Sequence, residues 1–183
     1  MSIHYHIESS PLGELLVIAN ETALVGLHVV RGLYVPGVPP DWVRRPYHPV
    51  LEQTRGQLQA YFGGRLRAFT VPLAPAGTSF QKRAWSALLA IPYGQTRSYR
   101  EQARAIGQPS ATRAVGAANS RNPIAILIPC HRVLGANGAL TGYSGGVDIK
   151  RFLLKLEGRG DPPVRDLFPA TVVKAACADR LTR

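Results

Sequence analysis

Apolar and polar positions alternate on different periods in the two halves of the chain. In the first half, Ile3–Ile7, Leu12–Ile18 and Ala23–Val30 are short apolar segments separated by Ser9-Ser-Pro-Leu-Gly13 and Asn20-Glu21. That is the pattern of β-strands joined by turns. Residues 31–49 are rich in Pro and Gly without a period and predict a loop. Val50, Leu51, Leu58, Tyr61 and Phe62 share one face of a helix over 48–62, which Gly63-Gly64 ends. Phe69, Val71 and Leu73 then alternate like one more strand.

Residues 72–77 read as a linker, and beyond them the period becomes helical. Thr78 or Ser79 can cap a helix whose buried face is Ala84, Leu88 and Ile91, with Phe80 and Trp85 flanking and Ile91-Pro-Tyr-Gly94 closing it. Ser98-Tyr-Arg-Glu101 matches a capping box, Ser98 at the N-cap and Glu101 at the third helical position. That helix should end at Gly107, and Ser110 can cap a second one over 111–119. Helix, brief turn, helix is the outline of a helix-turn-helix. Ala111, Ala114 and Ala118 leave one side of the second helix nearly bare, and Arg113 is its only charge. Small residues serve close helix packing, and beside a basic surface they also let a helix enter a minor groove about 6 Å wide. Val147–Glu157 is amphipathic, with Ile149, Phe152, Leu153 and Leu156 on one side. Asp148 suits its N-terminus, but Glu157 opposes the dipole at its C-terminus, as an anion with a specific cationic or histidine partner would. Residues 159–183 begin with Pro and charge, leave room for a short helix near 170–181, and carry no assigned role.

Between these helices, the apolar run Ile124–Ile128 is short and rich in β-branched residues, as in a buried strand or buried extended segment. Pro129 cannot donate to a ladder, so pairing should stop there. Cys130 and His131 follow at once, where a dry interior meets an opening. A structural buried thiol and a reactive one both fit that position. A reactive thiol needs a base or a positive environment. Adjacent side chains do not normally face each other, so His131 would act through a water or a local turn, with Glu157 able to orient the imidazole. Tyr99 is a spare hydroxyl donor. Thr141-Gly-Tyr-Ser-Gly-Gly146 lacks the Walker pattern and reads as backbone passing close to a bound group, or as a plain turn.

Composition narrows the partner. The chain has 183 residues and 45% hydrophobic content, enough for one moderate domain or two small ones with a real core. No apolar run could span a bilayer, and Met1-Ser-Ile-His-Tyr-His6 lacks the features of a signal peptide. Cys130 and Cys177 are too few for a disulfide scaffold and too sparse for a zinc site, so a cytoplasmic protein with free thiols is expected. His4, His6 and His28 read as strand or surface residues rather than ligands. The net charge is +11. Residues 1–80 are nearly neutral, whereas Lys82, Arg83, Arg97, Arg100, Arg104, Arg113 and Arg121 face Glu101 alone over 81–121. Such an excess attracts polyanions; a solubilising surface would have the same composition.

Pro129-Cys-His-Arg-Val133 resembles the active-site motif of the O6-alkylguanine-DNA alkyltransferases. The resemblance runs from about Thr78 to Gly158 and includes Phe80-Gln81, Trp85, Ile91-Pro-Tyr-Gly94, Ser98-Tyr99, Arg113-Ala-Val-Gly116, Asn122-Pro123, Gly142-Tyr-Ser-Gly-Gly146 and Leu156-Glu-Gly158. It implies an α+β protein: a small N-terminal α/β domain over 1–76, with a short antiparallel sheet and a helix, then a mainly helical domain over 77–160 with a winged helix-turn-helix, and a tail over 161–183. It implies DNA repair by direct damage reversal. The alkyl group of O6-alkylguanine, and of O4-alkylthymine as a further substrate, would pass to the protein once and irreversibly. Duplex DNA would bind through its minor groove and the damaged base would be flipped. By the same resemblance Cys130 accepts the alkyl group, His131 acts through water and is oriented by Glu157, Tyr99 assists flipping and protonates the leaving guanine, and Asn122 braces the segment. Arg113 fills the gap in the duplex, with Ala111, Thr112, Ala114 and Gly116 on the DNA-facing helix. Val133, Tyr143 and Ser144 line the guanine pocket, and Lys150 lies near Tyr99. No metal or other cofactor is implied, and the partner is DNA, not a membrane, met by a monomer with cooperative binding left open.

Thr112 stands where the family usually has Ala, Asn119 where some relatives are apolar, and Ala125 where some have Pro, so groove contacts and pocket shape are expected to differ. Some relatives carry an N-terminal zinc site whose cysteines this chain lacks. Relatives that only sense damage have Trp in place of the nucleophile, and Cys130 is intact here. The competing readings are a non-enzymatic DNA-binding damage sensor or regulator, and a cysteine hydrolase, which would turn over.

Overall fold

The first half of the chain is organised by a hairpin. Ser10 Oγ donates to Gly13 O at 2.6 Å and accepts from Leu12 N at 3.1 Å, turning β1 (His4–Ser10) into β2 (Gly13–Ala19). The computed structural model describes residues 2–158, so the expected tail over 161–183, Cys177 and the helix near 170–181 lie outside the described residues. β3 (Leu24–Val29) pairs antiparallel with β2, and the sheet order is β3-β2-β1-β4. β4 (Val43–Arg44) lies inside the stretch expected to be only loop and runs parallel to β1. Two residues are too short to leave a period; what makes them a strand is bonding from Val43 N to Ile3 O and from Arg45 N to Tyr5 O. Leu15–Ala19 are buried at every position, as in a strand covered on both faces.

α1 (Pro49–Phe62) starts with Pro at its first turn, where the missing N–H costs nothing. It lays Val50, Leu51, Leu58 and Tyr61 on the sheet, while Phe62 is half-buried. The strand expected at Phe69–Leu73 does not form. Leu24 N bonds to Pro72 O and Ala74 N to Leu24 O, a single bridge, because Pro72 and Pro75 supply no donors to extend it. The alternation there reflects burial of Val71, not a ladder.

α2 (Ser79–Leu89) is capped by Thr78 in a full capping box with Gln81. Trp85 does not flank its buried face but sits in it at 2% exposure, donating Nε1–H to Ala118 O at 2.9 Å. α3 (Tyr99–Ala105) has the capping box expected of Ser98 and Glu101. α4 (Thr112–Ser120) begins one residue later than expected. Its N-cap is Ala111, with no side-chain cap, so Ser110 does not perform that role. The bare side is also displaced. Ser110, Arg113, Ala114, Ala117 and Arg121 are exposed, whereas Ala118 points inward beside Val115. Asn119 is buried too and forms a reciprocal amide pair with Gln102, at 2.7 and 3.0 Å, which fastens α4 to α3. β5 (Arg97–Ser98) pairs in parallel with β6 (Val133–Leu134). In α5 (Val147–Leu156) Ile149, Leu153 and Leu154 are buried, but Phe152, expected on that face, is 39% exposed.

The described residues thus form a mixed α/β fold with five helices and a small main sheet. One apolar cluster joins Leu15, Leu27 and Tyr61 of the first half to Trp85, Ile128 and Leu153 of the second. The halves also meet through backbone: Leu27 N donates to Pro123 O at 2.8 Å and Ala125 N to Leu27 O at 2.9 Å. That pairing covers the free edge of β3, which would otherwise be an open template. No helix among the described residues is long and apolar enough to cross a membrane.

Candidate active site

Residues 124–130 are delivered to the site by two tight turns rather than by a strand. Leu127 N donates to Ala125 O at 2.8 Å around Ile126, the one non-glycine with positive φ (70°) among the described residues. A β-branched residue in that region is strained, and the surrounding packing must over-determine it; Ile126 is accordingly 1% exposed. Cys130 N then donates to Ile128 O at 2.8 Å across Pro129, whose φ −83° and ψ 64° are those of an inverse γ-turn. A 3-10 turn, Cys130–Arg132, follows with all three side chains buried.

Asn122 braces this segment at three points. Its Nδ2 donates to Ile128 O at 2.8 Å and to Cys130 Sγ at 3.3 Å, and its Oδ1 accepts from Ile124 N at 3.0 Å. Burial pushes the Cys130 thiol pKa up, while the Asn122 amide, the Lys150 charge and the N–H groups of Cys130 and His131 pull it back. The resting group is a protonated thiol with donors already placed for the thiolate.

Glu157 is the hub on the other side. Its Oε1 accepts from Tyr61 OH at 2.7 Å, His131 Nε2 at 3.0 Å and Arg132 NH2 at 2.9 Å; its Oε2 accepts from Arg132 Nε at 2.9 Å and Gly94 N at 3.1 Å. Gly94 is needed for that approach, since a Cβ there would lie 2.8 Å from Glu157 O. Burial opposes ionisation of Glu157, but the His131 and Arg132 hydrogen bonds and charges outweigh it and hold the carboxyl well below the usual range. The bidentate Arg132 neutralises the carboxylate, as buried charges require. Burial lowers the His131 pKa against the pull of Glu157, so the imidazole rests neutral. Donating from Nε2 to a carboxylate leaves Nδ1 as the basic nitrogen, and it bonds to no protein group among the described residues.

Lys150 is fully buried beneath this centre, donating Nζ–H to Val133 O at 2.5 Å and Thr141 O at 3.1 Å. Burial pushes its pKa down to about 8. Its ammonium lies 5.9 Å from the centre of the Tyr99 ring, whose hydroxyl pKa is raised by burial. The Tyr143 hydroxyl is buried without a protein partner among the described residues. A cavity of about 20 Å³ is lined by residues that include Asn122, Ala125, Tyr143 and Ser144 of the second half and Tyr34 and Val35 of the first.

The structure therefore brings Cys130, His131, Glu157, Asn122, Val133, Lys150, Tyr99, Tyr143 and Ser144 into one region. Arg113 and Ala114 stand on the exposed face of α4, and Ala111, Thr112 and Gly116 are half-buried along it. Asn119, where a difference in groove contact is expected from the sequence, is internal. Tyr61 carries no chemical signature in the sequence, yet its hydroxyl helps to hold Glu157, and Arg132, a member of the Pro129–Val133 motif with no role expected of it, neutralises that carboxylate. Arg132 had one pointer, the anion at the end of α5 that needs a cation. Elsewhere, His4 is buried, donor or acceptor to Glu21 at 3.0 Å and stacked on His48 at 4.5 Å between centroids. Potential ligand atoms of His4, Glu21 and His48 lie within 4.8 Å of one another, and none of the three residues lines the cavity beside Asn122.

Comparison with known proteins agrees over both halves. Residues 3–75 match the family described as 6-O-methylguanine DNA methyltransferase, ribonuclease-like domain, and residues 79–159 match 6-O-methylguanine DNA methyltransferase, DNA binding domain. A methylated-DNA--protein-cysteine methyltransferase of Methanosarcina acetivorans is 53% identical over 156 residues, 85% of this chain and 99% of that protein. The protein of the same name from Mycobacterium tuberculosis is 48% identical over 166 residues, 91% of this chain and 99% of that one. The crystal structure of Mycobacterium tuberculosis OGT in complex with DNA superposes with a TM-score of 0.79 at 48% identity, covering 84% of this chain and 92% of that one.

Proposed function

The chain belongs to the 6-O-methylguanine DNA methyltransferase family, and on that premise we propose that it repairs DNA by direct reversal, moving the alkyl group of O6-alkylguanine onto Cys130 in one irreversible turnover. The observation that carries this reading is the placement of Cys130 itself. Its sulfur is braced by Asn122 and followed by a neutral His131 that Glu157 holds by one ring nitrogen.

Duplex DNA is bound by a winged helix-turn-helix built on α3 and α4, through the minor groove. The exposed positions of α4 support this docking, because Ala114 and Ala117 add little bulk between the cations Arg113 and Arg121. Arg113 occupies the space left when the damaged base is flipped, and Val133, Tyr143 and Ser144 receive the guanine. Nδ1 of His131 takes the thiol proton through an intervening water. Sulfur then attacks the alkyl carbon; the S–C bond forms, the C–O6 bond breaks, and the electron pair passes into the guanine. Tyr99 protonates the departing base, and the proton held on His131 restores the balance. Lys150 keeps the Val133 carbonyl and the Tyr99 ring in register. Thioether is a poor leaving group, so each molecule reacts once, and the balanced step calls for no redox or metal chemistry. O4-alkylthymine presents the same alkyl–oxygen bond and is a further substrate. The units 1–76 and 77–160 act together as a cytoplasmic monomer.

The test is the intact mass of the protein after incubation with duplex DNA containing O6-methylguanine. A single methyl gain, mapped to Cys130 and absent in Cys130→Ala, is expected. Tight binding without any mass change would replace the reading with that of a damage sensor or regulator, and repeated turnover would replace it with a hydrolase.

A further inference from the structure

We propose that Tyr61, carried by α1 of the N-terminal half, is a positioning residue for alkyl transfer: its hydroxyl shares Glu157 Oε1 with His131 and so holds the imidazole in its neutral, proton-accepting form. This rests on the alkyl-transfer reading above and deepens it.

Three donors converge on Glu157 Oε1: Tyr61 OH at 2.7 Å, Arg132 NH2 at 2.9 Å and His131 Nε2 at 3.0 Å. A carboxylate oxygen has two lone pairs to offer, so three donors on one oxygen compete for them. The Tyr61 bond is the shortest of the three and has the length of a charge-assisted O–H···O contact. Oε2 takes Arg132 Nε at 2.9 Å and Gly94 N at 3.1 Å, so the carboxylate keeps its orientation without the phenol. What the phenol changes is the negative charge that Oε1 presents to the imidazole. Without it, more of that charge falls to His131 Nε2–H, and the imidazolium is favoured.

Tyr61 acts as a donor only. Burial first, and then the Glu157 charge, push its pKa well above the usual phenol value, so the proton stays on its oxygen. The ring is 0% exposed and packs on Phe62, Phe69 and Tyr93, at 5.6, 5.2 and 6.1 Å between centroids. That packing aims the hydroxyl at a carboxylate 96 positions away in the chain. The other groups whose charge bears on His131 are Arg132 and Lys150, both of which disfavour the imidazolium. Cys130 adjoins it in sequence. Tyr143 faces Tyr61, and Tyr93, which feels the Glu157 charge, is approached by Arg132 and Arg67 at 5.9 and 5.7 Å from its ring centre. The N-terminal half therefore reaches the proton-accepting centre through one hydroxyl.

The experiment follows the single-turnover rate constant for methyl transfer from O6-methylguanine in duplex DNA as a function of pH. The proteins are the wild type, Tyr61→Phe, Phe69→Leu and a protein whose Tyr61 ring carries a 3-fluoro substituent. A single-turnover rate constant reports only molecules that react, so misfolded protein drops out. An opposite charge in contact moves a pKa by about 1–3 units, and Tyr61 is one of three donors sharing that charge, so the acid limb of Tyr61→Phe should rise by about 0.5 pH unit. Fluorine makes the phenol more acidic and a stronger donor, so the limb of the fluorinated protein should move down. Phe69→Leu loosens the same ring cluster but keeps the hydroxyl; it should lower Tm and leave the limb in place. An unmoved limb in Tyr61→Phe, an upward one in the fluorinated protein, or an equal shift in Phe69→Leu overturns the inference while leaving alkyl transfer standing. Should Tyr61→Phe not fold, the fluorinated protein decides: a downward limb supports the inference and an unmoved one overturns it. A wild type that takes no methyl group at all overturns the function reading, and this inference with it.

Discussion

Arg132 is the residue whose removal tests the site most severely. Its guanidinium makes a bidentate contact with Glu157 at 2.9 Å through both Nε and NH2, and NH1 donates to Ile91 O at 2.6 Å. Arg132→Leu keeps the stem and removes all three bonds. Glu157 is then a buried anion whose remaining donors are Tyr61, Gly94 and His131. Breaking a buried pair by deleting one partner costs about 3–5 kcal/mol, a large share of the roughly 5–15 kcal/mol that holds a domain together. At about 2–4 °C per kcal/mol for a chain of this size, Tm should fall by about 6–20 °C. A second effect follows from charge. In the wild type Arg132 helps keep the imidazole pKa down; without it the carboxylate favours imidazolium, so the basic form of His131 appears only at higher pH. The acid limb of the single-turnover rate profile should shift upward. Arg132→Lys returns the charge without the fork, so it should restore the profile more than the stability. Thermal melts and pH–rate profiles of the three proteins check this. A Tm drop below about 2 °C with an unmoved profile would refute the assignment of Arg132 as the counter-ion.

Other expectations follow from the same geometry. Asn122→Ala leaves Ile124 N buried without its acceptor, at about 1–3 kcal/mol, takes one of two donors from Ile128 O, and removes the amide that favours the thiolate; chemical denaturation should show the loss, and thiol-reagent titration should show the Cys130 pKa higher still. His28 takes a proton near 6.5 when unfolded but only near pH 4 when folded, so the unfolded state binds more protons between those values. The stability this group contributes is therefore complete above about pH 6.5 and falls by up to about 3 kcal/mol by pH 4, which the difference between wild type and His28→Gln in urea melts across that range should reproduce. Arg113→Ala should slow repair of duplex DNA more than reaction with the free modified base, and equal losses in the two single-turnover assays would exclude a flipping role.

Features whose cause is local were legible in the chain. The boxes at Thr78–Gln81 and Ser98–Glu101 each close over three residues, so their residue types alone specify two helix starts. The proline that breaks an apolar run likewise marked Cys130, and an anion at the wrong end of a helix marked Glu157 as needing partners. Their identity was another matter. Tyr61 reaches Glu157 across 96 positions and looked, from its period, like one more core residue. Trp85 became central only because α4 covers it, and Asn119 became internal only because Gln102 stands opposite. The strand expected at Phe69–Leu73 failed because alternation reports which side faces the core, while a ladder also needs donors that Pro72 and Pro75 lack. Tyr34 and Val35 lie in a stretch with no period at all, and nothing in that composition places them against Asn122. By itself, then, the sequence determined two helix starts and the family and singled out Cys130 as the candidate nucleophile, because these depend on residue type and short spacing. Only the tertiary structure decided which residues neutralise Glu157, which face of α4 is free and what walls the cavity, because those depend on long-range closure around one shared core.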